Sequence, residues 1–123
     1  MTVRSTTTRV IVLVAALGLL VVLAARLLWS DPEPYVVTAI DYHFHDAHPT
    51  LPITPGRDLV VNNAGRNRHN VTIPALGFSN DVAPGARRTI EDIASRLTPG
   101  RYQLYCALHL DRGMKGVIVI AAD

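Results

Sequence analysis

Residues 105–116 read YCALHLDRGMKG. It holds the single cysteine of the chain, Cys106, with His109 three positions on and Met114 five beyond that. In front of it, Arg101 to Cys106 (RYQLYC) follows the turn signal Pro99-Gly100 and sets Tyr102, Leu104 and Cys106 on one face of a strand. Behind it, Val117 to Ala121 (VIVIA) reads as a closing strand. A loop between two strands, with Gly113 and Gly116 to relax its backbone, can turn a thiol, an imidazole and a thioether toward one point. Taken singly, each has a plainer account: a small buried cysteine, a gap-filling methionine, a solvated loop histidine. Taken together, those accounts leave the spacing unexplained.

The chain before this loop follows the same grammar. Tyr35 to Phe44 (YVVTAIDYHF), Asp58 to Asn62 (DLVVN), His69 to Ile73 (HNVTI) and Arg87 to Ile90 (RRTI) read as strands. They are separated by Pro55-Gly56 and Pro84-Gly85 turns. Glu91 to Leu97 (EDIASRL) reads as one helical turn or a loose connection. Short strands at regular spacing predict an all-β sandwich or barrel.

Two imidazoles and a thiolate near a plane, with a distant thioether on the axis, form the donor set of a redox copper site. The thiolate favours Cu(I), and imidazole accepts either oxidation state. Cys106, His109 and Met114 supply three such donors. His69, at the start of a strand, is the candidate fourth, and the Asn70 amide beside it is placed to donate to the cysteine sulfur. Zinc fits less well because thioether is a poor ligand for it. A cysteine protease fits worse, since no orienting acid or oxyanion motif accompanies the Cys/His pair.

These residues resemble the cupredoxins, and within them the plastocyanin-like branch. The resemblance rests on His69-Asn70, then Tyr105-Cys106, His109, Met114 and Gly116, with the turn Pro99-Gly100-Arg101-Tyr102 and with Phe44 ahead of Leu51 to Gly56 (LPITPG). It runs in order from about residue 36 to 121. It implies a Greek-key β-sandwich with one type 1 copper ion held by His69, Cys106, His109 and Met114. It also implies a carrier of single electrons rather than an enzyme, with His109 as the partly exposed ligand through which electrons leave. Phe78 to Arg88 and Glu91 to Leu97 depart from the familiar pattern.

Val10 to Ala25 (VIVLVAALGLLVVLAA) carries no charge, and Leu27, Leu28 and Trp29 extend it past Arg26. From Val10 to Trp29 a helix rises roughly 30 Å, the depth of a hydrocarbon core. Two readings stand: an uncleaved anchor, or a signal segment removed near Ala24 and Ala25. The missing A-x-A site favours the anchor. Arg4 and Arg9 favour a cytoplasmic N-terminus, which puts the rest outside the cytoplasm, in a periplasm or beyond. The expected organisation is therefore a membrane or signal segment at 1–29, a linker at 30–35 and a cupredoxin-like domain at 36–123. A lone cysteine in such a compartment has no internal disulfide partner.

A net charge of +2 with dispersed basic residues gives no reason to expect nucleic acid. The expected partner is a redox protein, acidic or membrane-bound, meeting a monomer. Ala107, Leu108 and Leu110 would form an apolar docking face ringed by Arg66, Arg68, Arg112 and Lys115. Copper storage, or delivery to an oxidase, would use the same ligands. A metal-free interaction module is a third reading. His43, His45 and His48 form a second histidine group; with Tyr42 and Phe44 facing the core, alternation sends His43 and His45 to water, and weak metal binding there stays open.

Overall fold

The computed structural model describes residues 3–47 and 50–122. It divides into a unit that ends at Asp31 and a second that starts at Pro32. The first is one helix, α1, Val3–Leu28. Its 26 residues at about 1.5 Å each give roughly 39 Å, more than a hydrocarbon core requires. The apolar stretch Thr6–Leu28 is long and apolar enough to cross a membrane, and none of it is buried in protein.

The second unit is a double sheet. One sheet contains β1 (Tyr35–Ile40), β2 (His43–His45), β4 (Leu59–Asn63) and β7 (Arg87–Ile90), in the order β2-β1-β4-β7. The other contains β3 (Pro52–Ile53), β5 (His69–Ile73), β6 (Phe78–Val82), β8 (Gly100–Tyr105) and β9 (Lys115–Ile120), in the order β3-β9-β8-β5-β6. The chain changes sheet after β2, β3, β4, β6 and β7, which makes a Greek-key sandwich and not a meander. Two pairings, β1 with β4 and β3 with β9, are parallel, so both sheets are mixed.

Alternation in the strands builds the core. Val37, Ala39, Leu59, Val61 and Ile90 from the first sheet meet Val71, Ile73, Leu104, Ile118 and Ile120 from the second, none more than 3% exposed. The Glu91 to Leu97 segment holds a 3₁₀ turn, Ile93–Arg96, that buries Ile93.

The structure differs from the sequence reading in the first strand. Tyr35 to Phe44 is not continuous: Ile40 pairs with His43 across a two-residue turn at Asp41 and Tyr42. Both turn residues have positive φ, 47° and 64°, the geometry of a type I′ hairpin. Phe44 still faces the core, and His43 and His45 face water. Tyr42, in the turn itself, is half-buried and packs against the edge of the core that holds Phe44. His48 lies outside the described residues. Pro52–Ile53 and Phe78–Val82 are strands that sequence pattern did not reveal. Phe78–Val82 (FSNDV) buries only Val82, so it lacks the apolar alternation that marks a strand.

Candidate metal centre

Every residue of β5 is buried, and its two faces do different work. His69, Val71 and Ile73 face inward. Asn70 and Thr72 face outward under a polar cover. The antiparallel register pairs Thr72 with Tyr105, the last residue of β8, so Cys106 follows at the level of Val71, within reach of the next backbone amide, that of Asn70. The Asn70 amide accordingly donates to Cys106 Sγ over 3.2 Å.

The loop after β8 closes on itself. The His109 amide donates to the Cys106 carbonyl and the Cys106 amide to the Met114 carbonyl, at 3.2 and 3.0 Å. A 3₁₀ turn, Leu110–Arg112, ends at Gly113 with φ 76°. Gly116 lets the loop return: a Cβ there would lie 2.9 Å from the Ala47 Cβ. Cys106 and Met114 are fully buried in one cluster with Phe44.

Three donor atoms converge. His69 Nδ1 is 3.3 Å from His109 Nδ1, and Cys106 Sγ is 3.5 Å from His109 Nδ1. His69, Cys106 and His109 form a group whose ligand atoms all lie within 4.8 Å of one another. Bonds of about 2.0 Å to nitrogen and 2.3 Å to sulfur around one first-row cation span the separations of 3.3 and 3.5 Å. Atoms that carry lone pairs and point at one spot repel each other unless a proton or a cation lies between them. The donor set therefore fits a cation that accepts both nitrogen and soft sulfur.

Electrostatics agree. Burial first, and then the His109 ring, lower the His69 pKa from its ordinary value against a smaller opposing pull from Asp41. A neutral ring keeps its lone pair for a metal.

Two residues that sequence reasoning did not single out shape the site. Asn63, 2% exposed, donates through Nδ2 to the carbonyls of Asn67 and Val82, each at 2.8 Å, and accepts from the Gly65 amide. It fixes the loop that delivers His69. Tyr42 lays its ring against both histidines, with centroids 4.8 Å from His109 and 6.3 Å from His69. An aspartate opening a two-residue gap between apolar runs was the weak signal for that turn.

The Asn70 side chain supports the loop from outside. Its Oδ1 accepts from the Ala107 amide, and its Nδ2 donates to Asp81 Oδ1 at 3.0 Å. That bond first, and the Arg68 guanidinium after it, hold the Asp81 carboxyl below its usual value. Of the basic residues expected to ring the site, Arg68 is engaged with Asp81 at 3.4 Å, and Arg112 lies over the Tyr42 ring.

Residues 11–120 match the family described as the cupredoxin-like domain, and the chain belongs to that family. Among solved structures it is similar to a copper-containing nitrite reductase from Thermus scotoductus, with 20% identity and a TM-score of 0.58 over 76% of this chain. The match spans only 24% of that reductase. A mutant amicyanin in its reduced state matches at 18% identity and a TM-score of 0.56, over 72% of this chain and 82% of that one. A mutant fern plastocyanin matches at 16% identity and a TM-score of 0.53, over 70% and 99%. At these identities the likeness is one of fold. The search of curated proteins finds no match.

Proposed function

We propose that this chain binds one copper ion through His69, Cys106 and His109, with Met114 as the weaker fourth ligand, and carries single electrons. The convergence of one thiolate and two imidazole nitrogens within 4.8 Å carries this reading. The bound ion would supply a Cu(I)/Cu(II) couple. The chain would supply a rigid cage, since Cys106 and Met114 are fully buried and the Asn70 amide is fixed on the sulfur. Such an amide withdraws charge from the thiolate and sets the potential.

The exposed face beside His109 suits a brief encounter. Leu108 and Leu110 are about half exposed, and Arg66, Arg112 and Lys115 lie at the surface. An acidic redox partner matches this face, and its reaction rate should fall as salt rises. We read α1 as an anchor that holds the domain outside the cytoplasm and confines the search for a partner to the membrane plane. The domain organisation is then an anchor at 1–29, a linker at 30–35 and the cupredoxin-like domain at 36–123. Among the described residues one group of donors converges, and a carrier of single electrons is the reading that this group supports.

The test is to load the full chain with Cu(II) in detergent, record its absorption spectrum and cycle it at an electrode. A strong thiolate-to-copper band, lost in Cys106→Ser, with reversible one-electron cycling and retained metal, is the expected result. Binding followed by rapid release to a chelator would favour copper delivery. Absence of the band would remove the metal reading altogether.

A further inference from the structure

The turn between β1 and β2 holds a residue in a costly conformation. A type I′ turn needs positive φ at both central positions and takes Asn-Gly most readily. Here the second position is Tyr42 at φ 64°, where a bulky side chain is strained. Strain of this kind persists only when surrounding contacts over-determine it.

Besides its packing on the core, Tyr42 makes contacts that lead to the candidate metal centre. The Tyr42 ring meets the His109 ring edge to face, 4.8 Å between centroids at 74°. It meets the His69 ring at 6.3 Å and 88°. The Arg112 guanidinium carbon lies 4.5 Å from the Tyr42 centroid, and Asn67 Nδ2 is 3.4 Å from the Tyr42 hydroxyl. Arg112 belongs to the loop that carries Cys106, His109 and Met114. Asn67 belongs to the loop that delivers His69. Tyr42 comes from the opposite sheet and ties the two loops together.

We propose that Tyr42 is a positioning residue for His109: its ring restrains the imidazole and covers its edge, Arg112 and Asn67 hold that cover in place, and a bound metal ion leaves more slowly as a result. The restraint of the ring is a property of the chain itself. The slower release rests on the copper reading above.

The test uses the full chain with Tyr42→Phe, Tyr42→Leu, Tyr42→Ala and Tyr42→Gly. In copper-loaded protein the readout is the rate of copper transfer to a chelator. In metal-free protein it is the NMR shift of the His109 ring protons, which an adjacent aromatic face displaces. Tyr42→Phe keeps the ring and loses only the 3.4 Å contact to Asn67, so it should stay closer to the parent than the Leu variant does in both readouts. The Leu, Ala and Gly variants should release copper about 2- to 12-fold faster, the span of an edge-to-face pair, and should lose the His109 displacement. Glycine relieves the positive φ, so Tyr42→Gly should be more stable than Tyr42→Ala yet release copper equally fast.

Release rates that follow unfolding stability across the set would overturn the proposal. So would unchanged release and unchanged His109 shifts in the Leu, Ala and Gly variants. If the parent binds no copper, the metal reading fails separately, and the His109 shifts alone decide whether Tyr42 restrains the ring.

Discussion

Replacing Asn70 by alanine isolates the support beneath the Cys106–Met114 loop from the proposed ligands themselves. The substitution leaves the backbone amide and its bond to Cys106 Sγ in place. It removes the acceptor for the Ala107 amide and the Thr72 hydroxyl, and the donor to Ser79 and Asp81. Asn70 is 6% exposed, so water does not simply replace it. Two lost bonds at the carbonyl oxygen are worth about 1 kcal/mol each. The full penalty for stranded donors does not apply, because Ala107 is exposed and Thr72 keeps Ser79 at 2.9 Å. The expected loss is about 2–3 kcal/mol in the metal-free chain, read from urea unfolding with the denaturant slope unchanged. If the proposed ligands hold copper, the loaded variant should keep its thiolate band, since none of them has been touched. A loss under about 0.5 kcal/mol, the size of an ordinary surface change, would refute the claim that this side chain braces the loop. Loss of the band with normal stability would refute the separation of brace from ligand.

Met114→Ala empties a fully buried position and should cost about 2–5 kcal/mol in the metal-free chain by urea unfolding, whatever it does to the metal. Gly116→Ala drives a methyl to within 2.9 Å of the Ala47 Cβ and should cost about 1–3 kcal/mol; pairing it with Ala47→Gly should recover most of that in a double-mutant cycle. The Gly56 amide first, and the Ser95 hydroxyl next, hold the Asp92 carboxyl below its usual value. Its ionised form therefore stabilises the fold above the unfolded pKa of about 3.9, and this is lost as pH falls through the lower folded value; Asp92→Asn should flatten that acid limb. The His69 pKa is lowered too, so in the metal-free chain the unfolded state takes up that proton first. Stability should then fall as pH drops below about 6.5, and His69→Gln should remove this slope in urea midpoints recorded across pH.

Much of the domain was legible because its strands keep period-two alternation between Pro-Gly turns. Val71, Ile73 and Leu104 all sit on the inward face that alternation assigns. The hidden strands are those whose pairing owes nothing to apolar pattern. Pro52–Ile53 is a strand only through its parallel bonds to Val119 and Ile120. Phe78–Val82 is one only because it flanks β5 along its whole length. The break at Asp41 and Tyr42 left only the aspartate as a weak sign, since a tyrosine in a β-rich run does not mark positive φ.

By itself, the sequence determined the local chemistry: which donors exist, that Cys106, His109 and Met114 share one loop, and that an apolar helix precedes the domain. These depend on residue type and on spacing of a few positions, which covalent geometry alone constrains. Tertiary structure decided what depends on partners distant along the chain: the strand register that sets the Asn70 amide on Cys106, the approach of His69 to His109 across 40 positions, and the Tyr42 ring against both. Those juxtapositions arise when two sheets close over one core. The closing force is burial of apolar area, which has no direction of its own, so the strand bonds and buried amides supply the precision.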